Sequence, residues 1–428
     1  MPPGAAALSG GAAPGIASPD PGGETPRAPH WRKRAFFFIL TSMPVFSLLV
    51  KPSSADCNIH CTYCFYLEKS ELYPGRHRHQ MTTDVLERMI ASYMATDQPT
   101  YSFGWQGGEP TLMGRRFFEH VTEFQEKHGR RGASVANGLQ TNGILLTDEF
   151  AAHLGQYHFL VGVSVDGSAE IHNQNRLTES GRGTHEQVLR GIELLAKHGV
   201  EYNILTVVSK ANVHRAREVY RYLRDDLGVM HHQYIPCVEF APDGSPAPFS
   251  IDGDEWGDFL LQIFDEWHGG DEERVSVRLF DSILTMMVDG VANTCVMSRN
   301  CRQYFVVEHN GDVYPCDFFV DPEKRLGNVM SDRFDDMWQS VTFRDFGRAK
   351  RKWNAECTTC PYLTYCAGDC QKMRYRVDED PSQLSHLCSG WKKFYGPTLP
   401  EFEQIATRVR QMRFNESMST APMGIRRA

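Results

Sequence analysis

The chain has 428 residues, 41% of them apolar and 23% charged, a composition ordinary for a soluble globular protein and a length that allows more than one domain. Its 45 basic and 53 acidic side chains give a formal net charge of −8, which argues against nucleic acid and against an anionic membrane, since both attract concentrated positive charge. Twelve cysteines, many at short spacings in an enzyme-sized chain, point to metal ligation in a reducing compartment, here cytoplasmic, rather than to a disulfide framework.

Residues 1–42 begin with a Pro-, Gly- and Ala-rich tract without periodicity, which reads as a disordered extension. The basic trio and apolar run in "RKRAFFFILTSMPVFSLLV" resemble a signal peptide, but the run carries straight into a core strand that cleavage would damage. Met43, just ahead of that strand, is an alternative start that would make the preceding residues an over-extended gene model. No later stretch has 18 uninterrupted apolar residues, so no membrane span is expected.

From there to residue 240 apolar strands alternate with amphipathic helices. The strands are "FSLLVKP", "YSFGWQ", "ASVANGLQTNG", "FLVGVSVDG", "EYNILTVVS" and "HQYIPCVEF". A capping box is expected at Thr184 and Gln187, and left-handed glycine caps at Gly129, Gly199 and Gly228. Regular βα alternation implies an α/β fold with a parallel sheet and right-handed crossovers. Six units are too few for a closed eight-stranded barrel, so a partial barrel is expected, with its chemistry at the C-terminal strand ends. Four segments share that face: the Cys57–Cys64 loop, "GGEP", "TNG" and "SVDG".

In "ADCNIHCTYCFY", Cys57, Cys61 and Cys64 admit a zinc, a redox pair or an iron–sulfur cluster. Zinc would need a fourth ligand such as His60, although ligands this closely spaced fit poorly round one tetrahedral ion. A cubane that only carries electrons takes four thiolates, whereas three leave one iron open to a small molecule. The CxxxCxxC loop after strand one, with GGEP after strand two, resembles the radical S-adenosylmethionine superfamily. That resemblance implies a partial (β/α)6 radical-SAM barrel, S-adenosylmethionine on the open iron, and its cleavage to a 5′-deoxyadenosyl radical. It also implies cofactor contacts from Tyr63, the backbone of Gly107, Gly108 and Glu109, Ser164, Arg176 and the backbone of Val238. On the residues alone GGEP is a turn, and Ser164 and Arg176 are polar groups near a strand end, although an arginine fork suits a carboxylate.

Eight more cysteines lie between Cys295 and Cys388, a number that two zinc ribbons would also consume. Their order, Cys295, Cys301, Gly311, Cys316, then Cys357, Cys360, Cys366 and Cys370, then Cys388, resembles the SPASM domain, the C-terminal cysteine-rich module of radical enzymes that modify peptides. The likeness implies two auxiliary [4Fe–4S] clusters, one on Cys295, Cys301, Cys316 and Cys370, the other on Cys357, Cys360, Cys366 and Cys388. With the first loop that makes three [4Fe–4S] clusters and leaves Cys237, in "YIPCVEF", as a small buried hydrophobe.

"QYFVVEHNGDVYPCDFFV" and "MPVFSLLVKPSSADCNIHCTYCFYLEK" narrow the likeness to anaerobic sulfatase-maturating enzymes. These oxidise a cysteine or serine of a sulfatase to Cα-formylglycine. By that resemblance Asp317 is the catalytic proton acceptor, an unfolded or nascent sulfatase segment is the substrate, and an electron donor such as flavodoxin or ferredoxin is the partner. Position alone makes Asp317 a solvated aspartate. Gln106 and "QTNG" line the cavity or serve as turns, and Tyr66 is substrate-side or packing. The alternatives are a SPASM maturase forming thioether or carbon–carbon crosslinks on another peptide, or a non-catalytic iron–sulfur or zinc scaffold. The expected organisation is a barrel over 43–240, a helical linker region over 241–294, the SPASM domain over 295–395, and a C-terminal helix and tail over 396–428.

Overall fold

The computed structural model describes residues 44–74, 78–375 and 380–420. The expectations for residues 1–42, for Met43 as a start and for the final basic tail lie outside the described residues.

Six strands appear where the apolar runs place them: β1 (Ser47–Lys51), β2 (Thr100–Trp105), β3 (Ser134–Thr141), β4 (Leu160–Ser164), β5 (Tyr202–Val208) and β6 (His231–Pro236). They pair in parallel in that order. The crossovers carry helices α1 (Thr83–Met94), α2 (Gly114–His128), α3 (Asp148–Gln156), α4 (His185–Lys197) and α5 (Ala216–Arg221). Thr82 and Thr147 start α1 and α3 by accepting the N–H of Val85 and Phe150, which satisfies donors the first helical turn leaves orphaned.

The sheet does not stop at six strands. The segment after β6 supplies α6 (Gly253–His268), the edge strand β7 (Ser276–Val277) and α7 (Arg278–Asp289). At the other edge, the cysteine-rich half contributes β8 (Tyr304–Glu308), β9 (Asp312–Tyr314) and β10 (Gly327–Asn328). β8 pairs in parallel with β1, Ser47 to Tyr304 through Lys51 to Glu308. The spatial order is therefore β10-β9-β8-β1-β2-β3-β4-β5-β6-β7. An open barrel leaves β1 with an unpaired edge, and β8 covers it. The two halves also share one aromatic core: Phe46, ahead of β1, meets Phe305 of β8 at 5.1 Å edge-to-face, and Phe334 and Trp338 each at 5.7 Å.

Two local expectations are corrected. The Thr184–Gln187 capping box does not form, because the buried Thr184 hydroxyl donates instead to the carbonyl of Arg176 at 2.8 Å. Gly199 and Gly228 have φ of +63° and +65°, as left-handed caps require, but Gly129 sits at −68°. Glycine is favoured there by crowding: a Cβ would lie 2.8 Å from the carbonyl oxygen of Gln125. A capping box does occur at Asp252 and Glu255, at the start of α6.

The chain closes with α8 (Cys388–Thr420), which holds Pro397 and Pro400 within its span and packs along α6. The contact is backbone to backbone: a Cβ on Gly390 would stand 2.0 Å from the carbonyl oxygen of Gly253. No described helix is long and apolar enough to cross a membrane. Gly390→Ala is expected to wedge α8 off α6 and to cost about 1–3 kcal/mol, read as a lower urea midpoint in anaerobic unfolding.

Candidate active site

The loops after β1, β2, β3 and β4 surround one cavity of about 290 Å³. Cys57, Cys61 and Cys64 line it together with Gln106–Glu109, Gln140–Asn142, Ser164 and Arg176. The cysteine loop leaves β1 at Pro52 through Ser54, whose φ of +49° turns the chain back over the strand ends. The loop is latched to GGEP, where Gly108 N–H donates to the carbonyl of Ser54 at 2.6 Å and Glu109 N–H to that of Asp56 at 2.8 Å. Only glycine fits at 108, since a Cβ would lie 2.0 Å from the carbonyl oxygen of Asp56.

The residues expected to touch the cofactor divide into two kinds. Gly107, Gly108, Ser164 and Val238 face the cavity, and Gln140 Nε2 donates to Ser164 Oγ at 3.1 Å. Glu109, Arg176 and Tyr63 also line it but are held from behind. The Glu109 carboxylate, 1% exposed, accepts from Thr111 N–H and hydroxyl, from the Thr141 hydroxyl and from Asn142 N–H, all within 3.0 Å. It ties the end of β2 to the end of β3, and burial pushes its carboxyl upward. Asp166, directly after β4, takes Arg176 Nε at 3.0 Å on the oxygen that also accepts the Tyr63 hydroxyl. Arg176 NH1 then lies 3.9 Å from Cys61 Sγ, so a fixed positive charge stands beside the cysteine loop.

Asp317 reaches the same cavity from the cysteine-rich half. It is not a solvated surface carboxylate. Its Oδ1 is ion-paired with Lys51, the last residue of β1, whose side chain is 2% exposed. Its Oδ2 accepts Gln106 Nε2 at 3.0 Å. Tyr66 lines the wall beside them, with Lys51 Nζ 4.1 Å from its ring centre and its hydroxyl donating to the buried Glu308. Cys237 is 6% exposed, as a small hydrophobe would be, and lies on the cavity wall, where burial pushes its thiol up to about 12.

The remaining eight cysteines fall into two rings. Cys295, Cys301, Cys316 and Cys370 surround one pocket with Tyr304 and Lys350. Cys357, Cys360, Cys366 and Cys388 surround another. The turn linking the rings, Ala367–Cys370, has Ala367 and Asp369 at φ of +48° and +63°. The buried guanidinium of Arg374 holds it by donating to the carbonyls of Ala367, Gly368 and Asp369. His60 is exposed and outside the cavity lining, so it does not join the three cysteines. Four cysteines line each ring, the donor set that a four-iron cluster takes. Burial pushes the thiols of Cys57 and Cys370 up to about 12 and that of Cys61 to about 11. Thiolates in such surroundings need strong positive charge, which ligated iron supplies.

Sequence reasoning missed Lys51, Asp166 and Glu308. Each is a charged residue at, or just past, the C-terminal end of an apolar strand, the position where α/β sheets place their chemistry.

Comparison with known proteins agrees with this geometry. The Radical SAM superfamily model matches residues 52–223, and the SPASM iron–sulfur cluster-binding domain matches 295–361. The chain is 35% identical to a serine-type anaerobic sulfatase-maturating enzyme of Bacteroides thetaiotaomicron, over 82% of this chain and 89% of that protein. It is also 35% identical to the cysteine-type enzyme of Clostridium perfringens, over 86% of this chain and all of that one. A solved structure, native anSMEcpe with bound AdoMet and the Cp18Cys peptide, superposes with a TM-score of 0.79 at 35% identity, covering 86% of this chain and 100% of that one. Fold and site thus define a radical S-adenosylmethionine enzyme with an iron–sulfur SPASM domain. Within that class, the chain belongs to the anaerobic sulfatase-maturating enzymes.

Because Glu109 accepts from donors on both oxygens, an amide there would face N–H and O–H groups with its own NH2. Glu109→Gln is expected to lower stability by about 2–3 kcal/mol, against less than about 0.5 kcal/mol for a change at the exposed Glu126, Glu126→Gln, both measured by anaerobic denaturant titration.

Proposed function

We propose that this cavity oxidises a cysteine or serine in an unfolded or nascent sulfatase segment to Cα-formylglycine, with Asp317 as the proton acceptor. The observation that carries the reading is the meeting, in one cavity, of a three-cysteine loop from the barrel and a clamped carboxylate from the cysteine-rich half. Cys57, Cys61 and Cys64 would hold the cluster that binds S-adenosylmethionine. When bound, the pair supplies a 5′-deoxyadenosyl radical able to take a hydrogen atom from Cβ of the target.

The chain's own residues do the rest. Gly107 and Gly108 let the backbone approach the cofactor closely, and Glu109 keeps that turn in place. Ser164, the Val238 backbone, Tyr63 and Arg176 complete the cofactor wall, with Asp166 fixing the last two. Asp317 accepts the thiol or hydroxyl proton of the target as the second electron leaves, giving a thioaldehyde, which water hydrolyses, or the aldehyde directly. Cys316, next to Asp317, belongs with Cys295, Cys301 and Cys370 to the ring that would hold one auxiliary [4Fe–4S] cluster, a group that would supply an electron acceptor there. Cys357, Cys360, Cys366 and Cys388 would hold the third of the three clusters. A small electron carrier of the flavodoxin or ferredoxin kind is the partner this chemistry requires. A barrel over 43–240 and a SPASM domain over 295–395 remain the organisation we favour, in a cytoplasmic enzyme.

The test is anaerobic reconstitution with S-adenosylmethionine, a strong reductant and two sulfatase-motif peptides, one with Cys and one with Ser at the target. Mass spectrometry should find aldehyde in step with deoxyadenosine, and the better peptide identifies the target. Deoxyadenosine without aldehyde from either peptide would assign the enzyme to a different peptide modification. Asp317→Ala is expected to keep its iron but to lose product formation by about 100-fold or more; normal turnover in that variant would sink its role.

The ring assignment has its own check. The paired changes Cys316→Ala with Cys370→Ala, and Cys360→Ala with Cys388→Ala, leave two ligands in a ring, fewer than the three that hold a cube, and should each lower iron by about four atoms from about twelve per chain. Either paired variant losing the iron of both rings would contradict two independently held clusters.

A further inference from the structure

The proton acceptor sits on one half of the molecule and its anchorage on the other. Asp317 follows Cys316 in the cysteine-rich half, while Lys51 and Gln106 sit at the ends of β1 and β2 and hold its two carboxylate oxygens separately. Lys51 is itself confined. It is the last residue of β1, paired with β8 and one residue beyond Val50, where the ladder to β2 ends. Its register partner on β8 is Glu308, which is 0% exposed and accepts the Tyr66 hydroxyl. Paired residues in a parallel ladder project to the same face, so Glu308 flanks Lys51. The Tyr66 ring lies under the ammonium, 4.1 Å away.

Resting on the reading of Asp317 as proton acceptor, we infer that Lys51 is the positioning residue of the reaction, held in turn by the Tyr66 ring, whose hydroxyl Glu308 anchors. A lone buried ammonium is costly, and one paired with the Asp317 carboxylate over an aromatic face has few alternative positions. Lys51 fixes Asp317 Oδ1 and Gln106 fixes Oδ2, so the carboxylate cannot rotate away from the cavity. The arrangement also differs from a plain staple between the two halves. The shared sheet and the Phe46–Phe305–Trp338 core already join them, and the Lys51–Asp317 pair lines the cavity instead of lying in that core.

The readout is the ratio of aldehyde to deoxyadenosine, because a misplaced acceptor uncouples radical formation from product. In Lys51→Met, which keeps the length of the side chain and removes its charge, the ratio is expected to fall about tenfold, the scale on which a small misplacement of a reacting group acts. The fall should appear in kcat for aldehyde, with peptide KM held within about twofold, and Lys51→Arg should restore part of the ratio. Iron content should stay at the level of the unaltered protein. An unchanged ratio in Lys51→Met overturns the inference. So does a parallel loss of iron, deoxyadenosine and aldehyde, which would mark a structural staple.

Should Lys51→Met fail to fold, Lys51→Gln decides, since its polar, neutral and shorter side chain suits the buried site but cannot carry the charge to Asp317. A lowered ratio there supports the inference, and an unchanged one overturns it. Asp317→Ala run alongside separates the two readings. If its ratio stays normal, the proton-acceptor role falls and this inference with it. If its ratio falls while that of Lys51→Met does not, the inference alone fails.

Discussion

Everything in the active site depends on the double parallel pairing of β1. Leu48 is in register with Phe103 of β2 and with Phe305 of β8, so one five-residue strand is the seam between the barrel and the cysteine-rich half. Because side chains alternate along a strand, a slip of one residue at either ladder would swing Lys51 out of the cavity and put an apolar neighbour in its place. The same register brings Gln106 and Glu308 alongside it. Geometry that looks like a side-chain constellation is, at root, a consequence of backbone register.

Charge in the interior follows one pattern throughout. Arg176 is matched by Asp166, Lys51 by Asp317, and the Arg374 guanidinium by a set of carbonyls. None of these charges is left alone in the low-dielectric interior, where isolation would be far more costly than pairing is beneficial. The buried cysteine thiols are the exception, since the protein around Cys57 and Cys370 opposes their ionisation. That imbalance suits sites finished by metal, because bound iron supplies the missing positive charge and the folded chain alone does not.

Much of this was legible in the sequence, for reasons that can be named. The six strands announced themselves because apolar runs end at strand ends and helical periodicity fills the gaps between them. The grouping of eight cysteines into two sets came from the resemblance to the SPASM domain, and each set lines one pocket. What stayed hidden depended on contacts far along the chain. Lys51 reads as an ordinary strand-ending lysine until Asp317 and Glu308 are placed against it. Thr184 has the local pattern of a helix cap, yet its hydroxyl is taken by the carbonyl of Arg176. Gly129 looks like a left-handed cap, but the carbonyl of Gln125 is what excludes a side chain there. The extension of the sheet by β8 was equally invisible, because no spacing rule says that a strand near residue 304 will seek the edge of the first.

That late pairing has a consequence for how the chain comes into being. β1 leaves the ribosome well before its partner β8, which follows after a gap of 304 − 47 = 257 residues. At translation rates of roughly 5–20 residues per second, the edge of β1 stays open for on the order of 10–50 s. Through that interval a strand with buried Leu48 and Val50 presents an unsatisfied row of amides, a template for pairing with another nascent chain. The closure that completes the active site is therefore also the event that removes this exposed edge from the nascent chain.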